Sequence, residues 1–108
     1  MIKEIELKKL PPLNSLRYFL VAAQTLSFKQ AAEQLFVTQA AISQHIKTLE
    51  THIGVPLFIR GTRRVSLTEE GKILVPYIQA GFDNFNKGVA LLSEDTNPDV
   101  LNVTVVES

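Results

Sequence analysis

The chain has 108 residues, 45% of them hydrophobic and 20% charged, a composition typical of one globular domain rather than of a disordered or fibrous protein. It has no cysteine, which excludes disulfides, thiolate zinc sites and cysteine nucleophiles, and two histidines are too few for a metal site. No apolar run approaches the roughly 20 residues of a membrane span, and the start lacks the apolar core of a signal peptide. We therefore expect a cytoplasmic protein without membrane contact.

The first part of the chain predicts a tail and two helices. Residues 1–12 show no periodicity and end in two prolines, which is typical of a tail. A first helix follows, with Asn14 as its N-cap, because apolar residues then recur at intervals of three and four. A second, short helix begins after Ser27, and Gln30 completes a capping box with it. The inner face of this helix carries Phe28, Ala31, Ala32 and Leu35.

The middle of the chain predicts a third helix and a hairpin. Thr38 is the N-cap of the third helix, which ends near Ile53 with Gly54 just beyond it. Its core-facing side carries Ile42, Ile46, Leu49 and Ile53. The periodicity then changes from helical to extended, and residues 57–59 and 65–67 predict a small hairpin with a basic tip.

The fourth helix should be the longest element. Thr68 caps it, it ends near Leu92, and Pro76 inside it removes one backbone hydrogen bond, so we expect a bend that the helix survives. Its apolar residues have the spacing of a coiled-coil seam that packs on a second copy of the chain, and they are Leu74, Ile78, Phe82, Phe85, Val89 and Leu92. The composition of residues 93–99 predicts a polar linker. Residues 101–105 alternate as a strand does, and we expect them to form the first strand of a missing domain.

The charges are distributed unevenly, although the formal net charge is zero. Residues 8–64 carry eight basic and two acidic side chains, a net charge of +6, whereas residues 65–108 carry a net charge of −5. This asymmetry indicates either a solvated surface or an anion-binding first half, and the distribution alone supports the two equally.

The second and third helices match a helix-turn-helix, in which the later helix enters the major groove of DNA. If the apolar side of the third helix faces the core, a polar face points outward, formed by Gln39, Ala40, Ser43, Gln44 and Lys47. Glutamine can pair bidentately with adenine, serine bonds to donors or acceptors, and alanine can contact a thymine methyl group. A merely solvated face usually carries glutamate as well as lysine. Because this face carries no acid, the pattern favours base contacts.

Other residues have the chemistry of phosphate contacts. Arg60, Arg63 and Arg64 lie at the hairpin tip, where guanidinium groups can bind phosphates or enter the minor groove; the alternative is a turn that only aids solubility. Ser27 and Lys29 lie at the start of the second helix, whose free N–H groups favour an anion, although capping alone explains Ser27.

Several motifs together resemble one family. Residues 27–50 carry the pattern SFxxAAxxLxVTQAAxSxxIxxLE, residues 54–60 carry GxxLFxR, and LTEEG opens the fourth helix. From Leu13 to about Leu92 the chain thus resembles the DNA-binding domain of LysR-type transcriptional regulators. The opening LPPLNSLR and the spelling FVTQAA are similar to the branch that contains the glycine-cleavage activator and the chromosomal beta-lactamase regulator.

The resemblance implies a mainly α-helical fold, with a winged helix-turn-helix of three helices and a two-stranded wing over residues 13–67. It implies that residues 68–92 form a linker helix through which two copies dimerise. Residues 93–108 would be the hinge and first strand of a missing effector domain that binds a small molecule, and the full-length protein can then form tetramers.

The resemblance also assigns contacts to DNA. Bases would be contacted by Gln39, Ala40, Ser43 and Gln44. The resemblance adds Thr38 to the phosphate contacts and agrees with those of the wing arginines. The complete set of expected contacts to the DNA backbone or minor groove is Ser27, Lys29, Thr38, Lys47, Arg60, Arg63 and Arg64. The family often has proline at the position of Ala40 and arginine at that of Gln44, so the resemblance does not indicate which bases this chain prefers.

We therefore expect a bacterial transcription regulator that binds an interrupted palindrome in double-stranded DNA as a dimer, with the third helix in the major groove and the wing on the backbone or minor groove. A protein-interaction domain with an incidental basic wing is the second hypothesis. Salt distinguishes the two, because phosphate contacts weaken steeply as salt rises. An enzyme is the least supported: we find no carboxylate pair, glycine-rich phosphate loop, nucleophile–base spacing or metal set, and expect no catalytic residues and no cofactor.

Overall fold

The structure is a computed structural model that describes residues 10–62 and 64–96. Within these residues the fold is mainly helical, as predicted, with one small antiparallel sheet. The elements follow one another as α1 (Leu13–Thr25), α2 (Phe28–Leu35), α3 (Gln39–Ile53), β1 (Phe58–Arg60), β2 (Val65–Leu67) and α4 (Glu69–Thr96).

The core lies between α1, α2 and α3, which all pack against one another. Its fully buried side chains on these helices, each 0% exposed, are Phe19, Ala22, Ala31, Ile42, Ile46 and Leu49. The small side chains of Ala31 and Ala32 on α2 permit close approach of the neighbouring helices. Ile53 was expected to face the core but is 40% exposed, because it is the last residue of α3 and extends beyond the apolar side that Ile42, Ile46 and Leu49 form.

Local caps define where most helices begin and end. A hydroxyl accepts a hydrogen bond from the backbone N–H three residues later at each of three predicted N-caps, which are Ser27, Thr38 and Thr68. Gly54 adopts a left-handed conformation, with φ of 94°, and its N–H donates to the Glu50 carbonyl over 2.7 Å. Glycine is the residue that adopts this conformation without strain, which explains where α3 stops.

Two predicted caps are wrong in detail. Helix α1 begins at Leu13, so Pro12 and not Asn14 is its N-cap; the Pro12 carbonyl accepts hydrogen bonds from the N–H groups of Ser15 and Leu16. At α2 only half of the expected capping box forms. In a complete capping box the Gln30 side chain would accept a hydrogen bond from the Ser27 N–H. Here the Thr25 hydroxyl in the preceding turn accepts that hydrogen bond instead, over 3.3 Å.

The wing is the hairpin formed by β1 and β2. Its strands pair in the register Phe58 with Leu67, Ile59 with Ser66 and Arg60 with Val65. Glu50 on α3 anchors the wing, because its Oε2 accepts hydrogen bonds from the backbone N–H groups of Leu57, at 2.8 Å, and Phe58, at 3.3 Å. A carboxylate that accepts two backbone N–H groups makes charge-assisted bonds, which are stronger than neutral ones. The wing is therefore tied to α3 through one side chain.

Helix α4 is the longest element within residues 10–62 and 64–96, and it continues past Pro76, as predicted. It also continues through Ser93 to Thr96, so the prediction of a linker from residue 93 onward is wrong for these four residues. Polar composition alone does not stop a helix. The stronger stop signal is Pro98, which disfavours helical backbone in the residue before it. The predicted strand and the rest of the predicted linker fall on residues 97–108, outside the described residues.

Gly71 marks a close approach between the first turn of α4 and the segment that enters the wing. A Cβ atom at this position would lie 2.4 Å from the Leu57 carbonyl oxygen and 2.9 Å from Cδ2 of Leu67. The carbonyl belongs to the backbone, so it cannot move aside as a flexible side chain can. The glycine in the motif LTEEG is thus required by packing against Leu57 rather than by a special backbone angle.

We predict that Gly71→Ala destabilises the fold by about 1–3 kcal/mol, as overpacking of a filled site typically does. Gly81→Ala is the matched control, since a Cβ there meets no atom within 4 Å. It should raise stability by about 0.5–1 kcal/mol through its helix propensity. Urea unfolding followed by circular dichroism, at one protein concentration, measures both. Equal effects of the two substitutions would contradict the role assigned to Gly71.

Candidate nucleic-acid interface

Helices α2 and α3 form the helix-turn-helix that the sequence predicts. Helix α2 ends at Leu35, and the next residue, Phe36, adopts a left-handed conformation with φ of 58°. The Val37 N–H then donates to the Ala32 carbonyl over 3.0 Å, which closes the turn, and Thr38 starts α3. The change of direction therefore takes place within three residues, 36–38.

The polar face of α3 points away from the core. Its residues Gln39, Ala40, Gln44 and Lys47 are exposed, and Ser43 is half-buried. The opposite side of the same helix is fully buried, with Ile42, Ile46 and Leu49 at 0% exposure. Because the buried side fixes the rotation of α3 about its own axis, the polar face is held outward.

A groove runs between the polar face and the wing. It has a volume of about 500 Å³ and is lined by Ala40, Ser43, Gln44, Lys47, Glu50 and Arg60. The predicted base-contacting residues Ala40, Ser43 and Gln44 thus share one concave surface with two of the residues predicted to contact the backbone. Gln39 lies one residue ahead of them, at the first position of α3.

The groove is positively charged. Lys47 and Arg60 line it, and neither forms an ion pair within residues 10–62 and 64–93; the ion pair found there joins Lys72 to Glu69. The single acid of the groove is Glu50, and its Oε2 is occupied by the two N–H groups at the base of the wing. The two cations and one carboxylate of the lining therefore leave a net charge of +1, which attracts an anion.

Arg60 is held by an aromatic ring, which the sequence analysis did not predict. Its guanidinium carbon lies 4.9 Å from the ring centroid of Phe28, the first residue of α2. Phe28 was assigned only to the inner face of α2, and the sequence holds no local signal for the contact, since 32 positions separate the two residues.

The N-cap hydroxyl at the start of α2 forms the expected hydrogen bond. The Ser27 hydroxyl accepts from the Gln30 N–H over 3.1 Å, and Lys29 is exposed. Ser27 thus acts as a cap, the simpler of its two predicted roles. The cap hydroxyl of Thr38 likewise accepts from the Ala41 N–H over 3.0 Å.

At the tip of the wing, the Gly61 N–H donates to the Arg64 carbonyl over 2.9 Å, and Arg64 is exposed. Arg63 lies outside the described residues. Arg64 and Arg60 are therefore the two predicted wing arginines whose positions can be described.

A second contact missed by the sequence analysis joins α1 to α3. Ser15 on α1 is 1% exposed, and its Oγ is hydrogen-bonded to Nδ1 of His45 at 3.1 Å. The ring of Tyr18 lies 4.2 Å from the ring of His45, centroid to centroid. His45 is adjacent to Gln44 in the chain, yet its side chain packs on α1 rather than lining the groove.

The predicted dimerisation seam of α4 divides into two parts. Ile78 is 8% exposed and Leu74 and Phe82 are half-buried, whereas Phe85, Val89 and Leu92 are 68%, 48% and 66% exposed. Ile78 is therefore a buried residue of the single chain, and its assignment to a free seam is wrong. The sequence analysis missed three exposed apolar residues on α4, Ile73, Tyr77 and Leu91, which are 64%, 74% and 62% exposed.

Within residues 10–62 and 64–96, no group of three or more His, Cys, Asp or Glu side chains is placed to hold a metal ion. None of the helices there combines the length and apolar character that a membrane span requires.

Comparison with known proteins gives consistent matches. A family model described as bacterial regulatory helix-turn-helix protein, lysR family, matches residues 13–72. The glycine cleavage system transcriptional activator of Escherichia coli K12 is 45% identical over 101 residues, which cover 94% of this chain and 33% of the relative. The transcriptional activator AmpR of Citrobacter freundii is 53% identical over 72 residues, which cover 67% of this chain and 25% of the relative. The chain thus spans about a third or less of the length of these relatives.

Solved structures agree with this match. The DNA-binding domain of BenM, crystallised with catB site 1 DNA, superposes with a TM-score of 0.74 at 32% identity, covering 79% of this chain and 96% of that one. OxyR of Corynebacterium glutamicum superposes with a TM-score of 0.70 at 34% identity, and the match covers 75% of this chain and 25% of that one. With more than half of its length matched by the family model, and with its winged helix-turn-helix fold, the chain belongs to the LysR family of bacterial regulatory helix-turn-helix proteins.

Proposed function

We propose that this chain is the sequence-specific DNA-binding module of a bacterial LysR-type transcriptional regulator, and that it acts in the cytoplasm. One observation carries the proposal: an acid-free polar face on α3 borders a groove whose two cations have no ion-pair partner within residues 10–62 and 64–93. The match to a BenM domain bound to DNA supports it. In the proposed complex α3 lies in the major groove, and the wing contacts the backbone or the minor groove.

Gln39, Ala40, Ser43 and Gln44 are proposed to contact bases. They occupy the first two turns of α3, the part of a recognition helix that reaches base edges. None of them carries the guanidinium or ammonium group that pairs with guanine or the carboxylate that pairs with cytosine. The two amides and the Ala40 methyl group instead match adenine and the thymine methyl. We therefore propose that each half-site is read mainly through A·T base pairs.

Charged and capping residues are proposed to bind the DNA backbone or the minor groove. Lys47 lies on the same face of α3 but two turns beyond Gln39, so it suits a phosphate better than a base. Arg60 lies across the groove on the wing. The complete set is Ser27, Lys29, Thr38, Lys47, Arg60, Arg63 and Arg64.

A dimer is proposed to bind an interrupted palindrome. One helix reads only a few base pairs, each worth about 1–3 kcal/mol of discrimination, so a second copy multiplies the specificity. The exposed part of α4 offers an interface: Phe85, Val89 and Leu92 of the predicted seam are exposed and follow one another at intervals of four and three residues. This is the spacing of a coiled-coil seam. Ile78, which is buried within the single chain, is left out of the proposed interface.

The longer regulator is proposed to carry an effector domain that binds a small molecule, and to assemble into tetramers. Both proposals rest on membership of the LysR family, and this chain covers about a third of the length of the relatives it matches. As its relatives are transcriptional regulators, no catalytic role is proposed for the chain.

A protein-interaction module is the second candidate, favoured by the exposed apolar residues of α4. It leaves the uncompensated cations of the groove unexplained. The two candidates differ in their response to salt, because only phosphate contacts release condensed counterions.

The first prediction concerns base preference. Selection of duplexes from a random pool by the wild-type chain, followed by sequencing, should yield a two-fold-related motif. Gln44→Arg should change one preferred base pair in each half-site from A·T to G·C, because arginine pairs bidentately with guanine and glutamine with adenine. Gln34→Arg is the control, since it adds the same charge at an exposed position of α2. An unchanged motif with Gln44→Arg would refute base contact by Gln44.

The second prediction concerns the backbone. Lys47→Ala should weaken binding to all duplexes by a similar factor and reduce the slope of log K against log salt by about 2, because each of the two copies in the dimer loses one phosphate contact. Fluorescence anisotropy at several salt concentrations measures this slope. Lys87→Ala, an exposed lysine of α4, should leave it unchanged. Binding that does not respond to salt would favour the interaction module instead.

The third prediction concerns the dimer. Phe85→Glu should convert the chain to monomers at micromolar concentration, because a buried unpaired carboxylate opposes packing of one α4 on another. Phe85 is 68% exposed, so the substitution leaves the fold intact, whereas the half-buried Phe82 would be a poorer choice. Sedimentation velocity distinguishes monomer from dimer. Asn86→Glu, at an exposed neighbouring position, should remain dimeric; a dimeric Phe85→Glu variant would exclude this face as the interface.

A further inference from the structure

A row of three aromatic rings runs from the core through the wing to the start of α2. Phe19 is fully buried on α1, and its ring centroid lies 5.4 Å from that of Phe58, which is 5% exposed on β1. The Phe58 ring in turn lies 5.4 Å from the ring of Phe28, with the two planes at 87°. This edge-to-face arrangement is favourable for aromatic pairs. Phe28, half-buried, is therefore held in place by the core behind it.

The outer side of Phe28 carries a cation. The guanidinium carbon of Arg60 lies 4.9 Å from the centroid of the Phe28 ring, within the distance of about 6 Å at which cation–π attraction operates. Arg60 is exposed and lines the groove opposite Lys47 and Gln44. One side chain thus connects the N-terminal end of α2 to the groove beside α3.

A contact with an aromatic ring leaves the N–H donors of an arginine available, whereas an ion pair engages them. A carboxylate would engage the N–H groups of arginine, which lie in the plane of the guanidinium. An aromatic ring attracts the charged group without accepting those hydrogen bonds, and none of the acids within residues 10–62 and 64–93 is paired with Arg60. The donors of Arg60 are thus held in place and remain available to a ligand in the groove.

We propose that Phe28 is a positioning residue of the DNA interface: it orders the Arg60 side chain before DNA arrives. This inference rests on the proposed function. A free arginine side chain loses rotamer entropy when it is fixed, and ordering it within the free protein removes part of that cost from binding. Phe28 itself contacts no base or phosphate in this proposal; it acts through Arg60.

A double-mutant cycle tests the proposal. The probe is a duplex selected from a random pool by the wild-type chain, and affinities are measured by fluorescence anisotropy for Phe28→Leu, Arg60→Ala and the double variant. Phe28→Leu should weaken binding about 3- to 10-fold in the wild-type background, in line with the strength of a cation–π contact. It should have no further effect once Arg60 is alanine. Phe28→Tyr keeps the ring and should bind like the wild type.

A second cycle provides the control. Arg64 lies on the same wing and is exposed, and no cation–π contact is found for it within residues 10–62 and 64–96. Phe28→Leu and Arg64→Ala should therefore have additive effects on binding. Urea unfolding of Phe28→Leu checks that the variant is folded at the temperature of the binding assay.

The outcomes are distinct. If Phe28→Leu weakens binding equally with and without Arg60, or not at all, Phe28 has only a packing role and the inference is wrong. If the random pool yields no bound duplex, the proposed DNA-binding function fails first. A bound duplex together with coupling confined to the pair Phe28 and Arg60 supports both.

Discussion

Complete burial of one side of α3 is the constraint on which the rest of the structure depends. Ile42, Ile46 and Leu49 are all at 0% exposure against α1 and α2, so the helix cannot rotate without exposing a large apolar area. The residues on the opposite side are held outward for the same reason. This is why a face made of short, uncharged side chains can have a fixed orientation although none of those side chains is itself held by the core.

The wing has a fixed position because α3 also supplies its anchor. Glu50 follows directly after Leu49, and its carboxylate accepts the N–H groups of Leu57 and Phe58, which begin the wing. The same bonds engage one of its two oxygens, Oε2, beside Lys47 and Arg60. Glu50 thus joins the wing to α3, and within residues 10–62 and 64–93 it forms no ion pair with either cation of the groove.

Much of the fold could be predicted from the sequence because its signals are local. The hydroxyls of Ser27, Thr38 and Thr68 bond to N–H groups three residues away, and Gly54 ends α3 through its own backbone conformation. Contacts between distant residues leave no such signal. The ring of Phe28 beneath Arg60 and the backbone of Leu57 against Gly71 become visible only when the elements are packed.

The errors of the sequence analysis have the same origin. Ile78 fits the spacing of an exposed seam, and spacing alone cannot show that the single chain already buries it. Residues 93–96 have a polar composition, which is equally compatible with the last turn of a helix. Periodicity predicts which residues share a face, but what covers that face depends on the tertiary structure.

A net charge of zero is compatible with the proposed function, because DNA responds to the charges nearest to it. The groove of each copy holds two cations, Lys47 and Arg60, and each phosphate contact changes the salt dependence of log K by about 0.9, so these two contacts alone would hold DNA weakly. Discrimination through neutral amides and a methyl group adds about 1–3 kcal/mol for each base pair. Joining two copies doubles both contributions. The exposed apolar residues of α4 and the modest charge of the groove are therefore parts of one proposed arrangement, in which binding depends on the dimer.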